Sequence, residues 1–171
     1  MSSGRFCLDA NLFIAARSIT YPADILPSLW EYLAACRNEF VLIKPIYDEI
    51  DPIAQHHRNL SRDEKNEKYP LRMWMQENGF EATPINDEVN LASLMLEQEY
   101  QISPISKGAG QNDVTLIAYA KITEKTVVTL ESEQPNTPGK KSNYKIPLIC
   151  QEQDVEYIDF VKLLRCLDVR I

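Results

Sequence analysis

Histidine is almost missing from this chain: there are two in 171 residues, His56 and His57, side by side. Adjacent side chains on a helix do not face a common point, which argues against a two-histidine metal site and leaves both as surface residues. The four cysteines (Cys7, Cys36, Cys150, Cys166) are dispersed with no Cys-x-x-Cys pair. That spacing speaks against zinc and redox chemistry and for free thiols in a reducing compartment. Glycine is scarce too, at five residues. Neither a Gly-x-Gly-x-x-Gly turn nor a Walker loop occurs, so a nucleotide cofactor has no support. No apolar run approaches the roughly 20 residues that span a bilayer. A basic segment followed by a signal-like apolar stretch is also lacking at the start, and the expectation is a cytoplasmic protein that does not touch membranes. A cationic surplus is absent as well. The formal net charge of −7 excludes a general, field-driven nucleic-acid binder, while leaving room for a local basic rim.

What is present is ordinary globular composition, 44% apolar and 25% charged, in a length suited to a single domain over residues 1–171. Short β-type runs at 5–9, 40–43, 126–130 and 155–158 alternate with helical patterns. Leu29, Trp30, Leu33 and Cys36 recur at helical spacing over 27–37, behind Pro27. After Pro45 a helix carries Ile46, Tyr47, Ile50 and Ala54 on its apolar side, with Asp48 and Glu49 expected in its first turn. The polar stretch 57–79 reads as a helix opened by a Ser61–Glu64 capping box, divided at Pro70 and ended by Gly79. Asn86 or Asp87 caps the next helix, through Tyr100, with Val89, Leu91, Ala92, Leu94, Met95 and Leu96 as its apolar side. A further apolar helix opens at Asn112-Asp113. Pro147 starts a short turn, and Asp159 caps the closing helix. The alternation predicts crossover connections, hence an α/β fold: a three-layer αβα sandwich with a mainly parallel central sheet.

In open parallel sheets, ligands bind beyond the carboxyl ends of the strands. Asp9 ends the first strand and Glu131 the run at 126–130, with Glu133 close behind it. Glu49 starts the helix that follows the second strand, and Asp113 starts the helix that feeds the 126–130 run. Each has an ordinary explanation: Asp9 and Asn11 suit a turn, Asp113 suits a helix cap, and Asp48 and Glu49 suit a helix dipole. Taken together they place at least three acids at one sheet edge. Crowded carboxylates resist ionisation, and a hard divalent cation with oxygen preference relieves that penalty. Metal-assisted phosphodiester hydrolysis fits this inventory better than covalent catalysis.

These residues resemble the PIN domain. Asp9-Ala-Asn11 follows a first strand, Glu49 sits in a helix, Asn112-Asp113 opens an Ala-rich apolar helix, and Thr129-Leu-Glu131 closes a strand. The ending Lys-Ile-Pro…Val-Glu-Tyr-Ile-Asp…Leu-Leu-Arg and the early Tyr-Pro…Trp-Glu-Tyr-Leu stretch are similar to the DUF4411 branch of that superfamily. The resemblance implies a metal-dependent endoribonuclease similar to VapC, usually the toxin of a type II toxin–antitoxin pair. It implies Asp9, Glu49 and Asp113 as the core that holds Mg2+ or Mn2+. Asn11 would brace the site by hydrogen bonding, and Thr129 would position adjacent backbone or a phosphate. The fourth acid is Glu131 where many PIN domains have Asp, with Glu133 as competitor. Expected partners are RNA, a cognate antitoxin and a second copy of the chain, with Lys107 and the Lys140–Lys145 loop touching the RNA backbone. Two other functions compete: a PIN-like RNA- or protein-binding module without turnover, and an aspartyl-phosphate phosphatase. Asn11 stands where the phosphatase chemistry usually wants a second acid.

Overall fold

In the computed structural model, which describes residues 4–170, four short strands form one sheet: β1 (Phe6–Leu8), β2 (Phe40–Val41), β3 (Thr126–Val128) and β4 (Tyr157–Ile158). Their order is β2-β1-β3-β4 and every pairing is parallel. Such strands need crossovers, and helices supply them. These are α1 (Pro27–Ala35), α2 (Lys44–Glu49), α3 (Arg62–Lys68), α4 (Pro70–Glu77), α5 (Asp87–Glu99), α6 (Gln111–Thr123), α7 (Ile146–Glu152) and α8 (Phe160–Cys166). The three-layer α/β/α arrangement follows from burying the sheet on both faces, which is why β1 and β3 are buried throughout. No helix among the described residues is long and apolar enough to cross a membrane.

One helical layer is knit by aromatic rings. Trp30 of α1 stacks on Phe160 of α8, with centroids 6.1 Å apart, and meets Trp74 of α4 edge-on at 5.9 Å. Its indole N–H donates to the Tyr21 carbonyl at 2.7 Å. Between β1 and α1 runs an element that the sequence pattern does not announce, a π-helix over Leu12–Thr20. The Tyr21 N–H donates to the Ala16 carbonyl five residues back, and Leu12, Phe13 and Ala16 are buried along it. In the other layer, α6 is buried on every side from Val114 to Ala120, as a helix without a polar face must be.

Two sequence expectations are corrected. In α5 the buried side is Val89, Ser93 and Leu96, whereas Leu91, Leu94 and Met95 are 62%, 53% and 63% exposed. Apolar residues surround this helix, so no single face stands out from the sequence; at about 100° per residue, 89, 93 and 96 form one stripe and 91, 94 and 95 lie off it. Glu49 is not in the first turn of α2 but is its last residue. The helix starts at Lys44, one residue before Pro45. It stops because Ile50 is extended and Asp51 takes a left-handed φ of 44° ahead of Pro52. The divided helix at 57–79 forms as α3 and α4, with the Ser61–Glu64 capping box in place and Gly79 at φ 71°.

Candidate functional site

The parallel register delivers the site. Beyond β1, the Asp9 N–H still donates to the Val128 carbonyl at 3.0 Å, so the ladder holds the aspartate at the sheet's carboxyl end. The residue is only 2% exposed. Thr129, 1% exposed, leaves β3 beside it. Its hydroxyl donates to Asp9 Oδ2 at 3.1 Å and accepts the Glu131 N–H at 3.1 Å. One side chain thus orients the first acid and the backbone of the last.

Asp113 stands in the first turn of α6, where its Oδ2 accepts the Gly110 N–H at 2.7 Å. Glu49, exposed at the end of α2, accepts from Asn112 Nδ2 at 3.0 Å. Glu131 Oε2 accepts the Ile146 N–H at 2.8 Å, at the start of α7. Glu133 turns elsewhere and accepts the Tyr157 hydroxyl at 2.5 Å. Asn11 is exposed and approaches Asp9 through its backbone N–H, 3.5 Å from Oδ1. The bracing expected of its side chain comes instead from Thr129, and Asn112 adds a second brace at Glu49.

Electrostatics ties these groups together. Burial pushes the Asp9 carboxyl up to about 6, opposed by the Thr129 hydroxyl and the Asn11 N–H and reinforced by Glu131 and Glu49. Burial pushes Asp113 higher, to about 7, opposed by the Gly110 N–H and reinforced by Asp9, Glu131 and Glu49. Among the described residues no Lys, Arg or His side chain enters either balance, and Glu133 does not contribute. Asp9 and Asp113 therefore both feel Glu49 and Glu131 at one end of the sheet. They do not form a closed ligand shell: among the described residues, no group of three or more His, Cys, Asp or Glu side chains is placed to hold a metal ion. Each carboxylate is turned toward its own protein donor. In kind the set fits a hard, oxygen-seeking cation, since all its donors are carboxylates and desolvation raises both Asp9 and Asp113.

Two lysine-bearing segments meet at the chain leading into α6. Gly108 N–H donates to Ser142 O at 3.2 Å and Ala109 N–H to Tyr144 O at 2.8 Å, which brings the Lys107 and Lys140–Lys145 segments together next to Gly110. Space is tight there: a Cβ on Gly108 would lie 2.4 Å from the Tyr144 carbonyl. Lys141 is engaged elsewhere, paired with Glu99 at 3.3 Å and Glu152 at 3.7 Å. Lys107 and Lys140 are exposed.

Because Thr129 links Asp9 to the Glu131 backbone, Thr129→Val keeps the volume and removes both bonds. The expected cost is about 1–3 kcal/mol, the usual penalty for stranding a buried polar group. A lowered urea midpoint with an unchanged slope would show it.

A family model described as "Domain of unknown function (DUF4411)" matches residues 6–171. No curated protein and no solved structure matches the chain.

Proposed function

The chain belongs to the DUF4411 family, and from that premise and the geometry of its acids we propose a metal-dependent endoribonuclease of PIN type. The observation that carries the reading is the pair Asp9, buried, and Asp113, half-buried: both raised by desolvation, without a cation among the described residues to offset it, and within electrostatic reach of Glu49 and Glu131. Desolvating carboxylates without a cation beside them costs stability even when each accepts a hydrogen bond, and a site that performs chemistry on a charged ligand gives that cost a purpose. Mg2+ or Mn2+, when bound, supplies charge neutralisation, polarisation of a phosphodiester and a more acidic water.

The residues have separate tasks in this reading. Asp9 and Asp113 provide the fixed negative charge, and Thr129 keeps Asp9 from rotating. Glu49 and Glu131 complete the oxygen donors from the exposed side, with Asn112 steadying Glu49. Lys107, Lys140 and Lys145 line the approach for a phosphate backbone, where point charges position the strand without reading its bases. The wider assignment, a toxin with a cognate antitoxin and a homodimeric state, rests on the PIN and VapC resemblance.

The competing reading is a PIN-like binding module without turnover. It is favoured by the engagement of every carboxylate with a protein donor. The deciding experiment incubates purified protein with single-stranded RNA and Mg2+ or Mn2+, with EDTA as control. Cleavage that EDTA abolishes is the expected result. Absence of both cleavage and Mn2+ binding would leave the binding module standing and remove the nuclease.

A further inference from the structure

Arg72 is 8% exposed and has no carboxylate partner among the described residues. An unpaired buried guanidinium needs compensation, and here backbone carbonyls provide it. Nη2 donates to Tyr47 O at 2.5 Å and to Ile50 O at 2.7 Å, while Nε donates to Ile50 O at 3.0 Å. The guanidinium carbon also lies 4.3 Å from the centre of the Tyr47 ring. Both carbonyls belong to the end of α2, and Glu49 lies between them in the chain.

The attachment runs in both directions. Asp51, in its left-handed conformation, accepts the Leu71 N–H at 3.1 Å and the Arg72 N–H at 3.4 Å. The side chain of 72 therefore grips the end of α2, and the side chain of 51 grips the start of α4. Between the two ends lies the polar excursion with α3. A six-residue helix has little stability of its own. Its last carbonyls are unsatisfied unless something outside the helix donates to them, and a cation at that end also suits the helix dipole.

We propose that Arg72 is a positioning residue for Glu49: by clamping the carbonyls on either side, it fixes where that carboxylate meets the Asp9–Asp113 pair. This rests on the metal-dependent reading above. Asn112 steadies the Glu49 carboxylate from the α6 side, and Arg72 steadies its backbone. Lysine in place of Arg72 keeps a cation and loses the fork that reaches two carbonyls at once.

The test is a double-mutant cycle on Mn2+ affinity, measured by titration calorimetry on the whole chain, with RNA cleavage as a parallel readout. Arg72→Lys is expected to weaken Mn2+ binding by about 10–100-fold, a loss on the scale produced by disturbing groups that orient metal ligands. In a Glu49→Gln background the same change is expected to do nothing further, because the group it positions is gone. A purely structural role would lower affinity by the same factor in both backgrounds, and that result overturns the proposal. If Arg72→Lys fails to fold, Tyr47→Leu, at a partly exposed position, removes only the ring beneath the guanidinium and is read in the same cycle. Additive losses together with metal-dependent cleavage leave the nuclease standing and remove the clamp. A wild-type chain that neither binds Mn2+ nor cleaves RNA removes both.

Discussion

Asp9→Asn is expected to abolish RNA cleavage and, at the same time, to raise the stability of the metal-free protein. The two effects have one cause. Asparagine keeps the shape of aspartate and still accepts the Thr129 hydroxyl proton, so packing around this 2%-exposed residue is preserved. What disappears is a charge that burial disfavours, as the carboxyl's rise to about 6 records. Relieving it should stabilise the fold by about 1–3 kcal/mol at neutral pH, since each tenfold change in proton affinity is worth about 1.4 kcal/mol. Losing it should lower cleavage by at least about 100-fold, the scale on which one preorganised electrostatic group is felt in catalysis. Asp113→Asn should behave alike, provided its amide oxygen takes the place of Oδ2 in accepting the Gly110 N–H. Thermal melts in EDTA and a cleavage assay with Mn2+ read the two signs independently. A variant that is destabilised and inactive would mark Asp9 as structural, and one that cleaves like wild type would remove the nuclease assignment.

The second large effect is a reversed pH dependence. Asp9 and Asp113 have folded-state pKa values of about 6 and 7, above the ordinary aspartate value of 3.8. Between about pH 4 and pH 7 the folded protein therefore binds more protons than the unfolded chain does. Stability must then fall as pH rises through that window, opposite to the effect of a salt-bridged carboxylate. Below the window both states are protonated at these positions and the contribution is complete; above it the contribution is lost. For the pair, the loss between about pH 5 and pH 7.5 is on the order of 4 kcal/mol, or roughly 8–16 °C in melting temperature for a chain of this size. Melts from about pH 5 to pH 7.5 in EDTA should show it. Mn2+ should reverse the trend, because a cation that takes the place of the protons binds more tightly as they leave and stabilises the fold by mass action. A melting temperature that rises with pH in EDTA would mean that the two carboxyls are not uncompensated.

How much of this was legible in the chain differs from element to element. Local signals carried far. Ser61 with Glu64, Asn86 ahead of Val89, and Asp159 ahead of Lys162 all form the caps that their spacing suggests. A cap depends on three or four consecutive residues and little else. The strand runs were also recognisable, though the regular strands are shorter than the apolar runs around them. At 126–130, for example, the regular strand ends at Val128 and Thr129 turns its hydroxyl to Asp9. The π-helix at Leu12–Thr20 had no such signal. Its hydrogen bonds span five residues in place of four, and no residue type announces that choice.

The site shows the same division. Strand ends and helix starts placed Asp9, Asp113 and Glu131 near one edge, because alternating elements force parallel crossovers. Sequence could not separate Glu131 from Glu133, two residues apart. Their side chains diverge after β3: one carboxylate accepts from the start of α7, the other from Tyr157. Nor could it find Arg72, which lies 23 positions beyond Glu49 and meets the backbone around it only because Asp51 folds α4 back onto α2.

By itself, then, the sequence determined the parallel α/β layering, the helix caps and the acids that can face one edge, because hydrophobic period and terminus chemistry are local. Tertiary structure alone decided which face of α5 is buried, where α2 stops, which glutamate feels Asp9, and which cation holds the backbone around Glu49. Those outcomes depend on groups far apart in the chain that acquire neighbours only when the sheet closes its register.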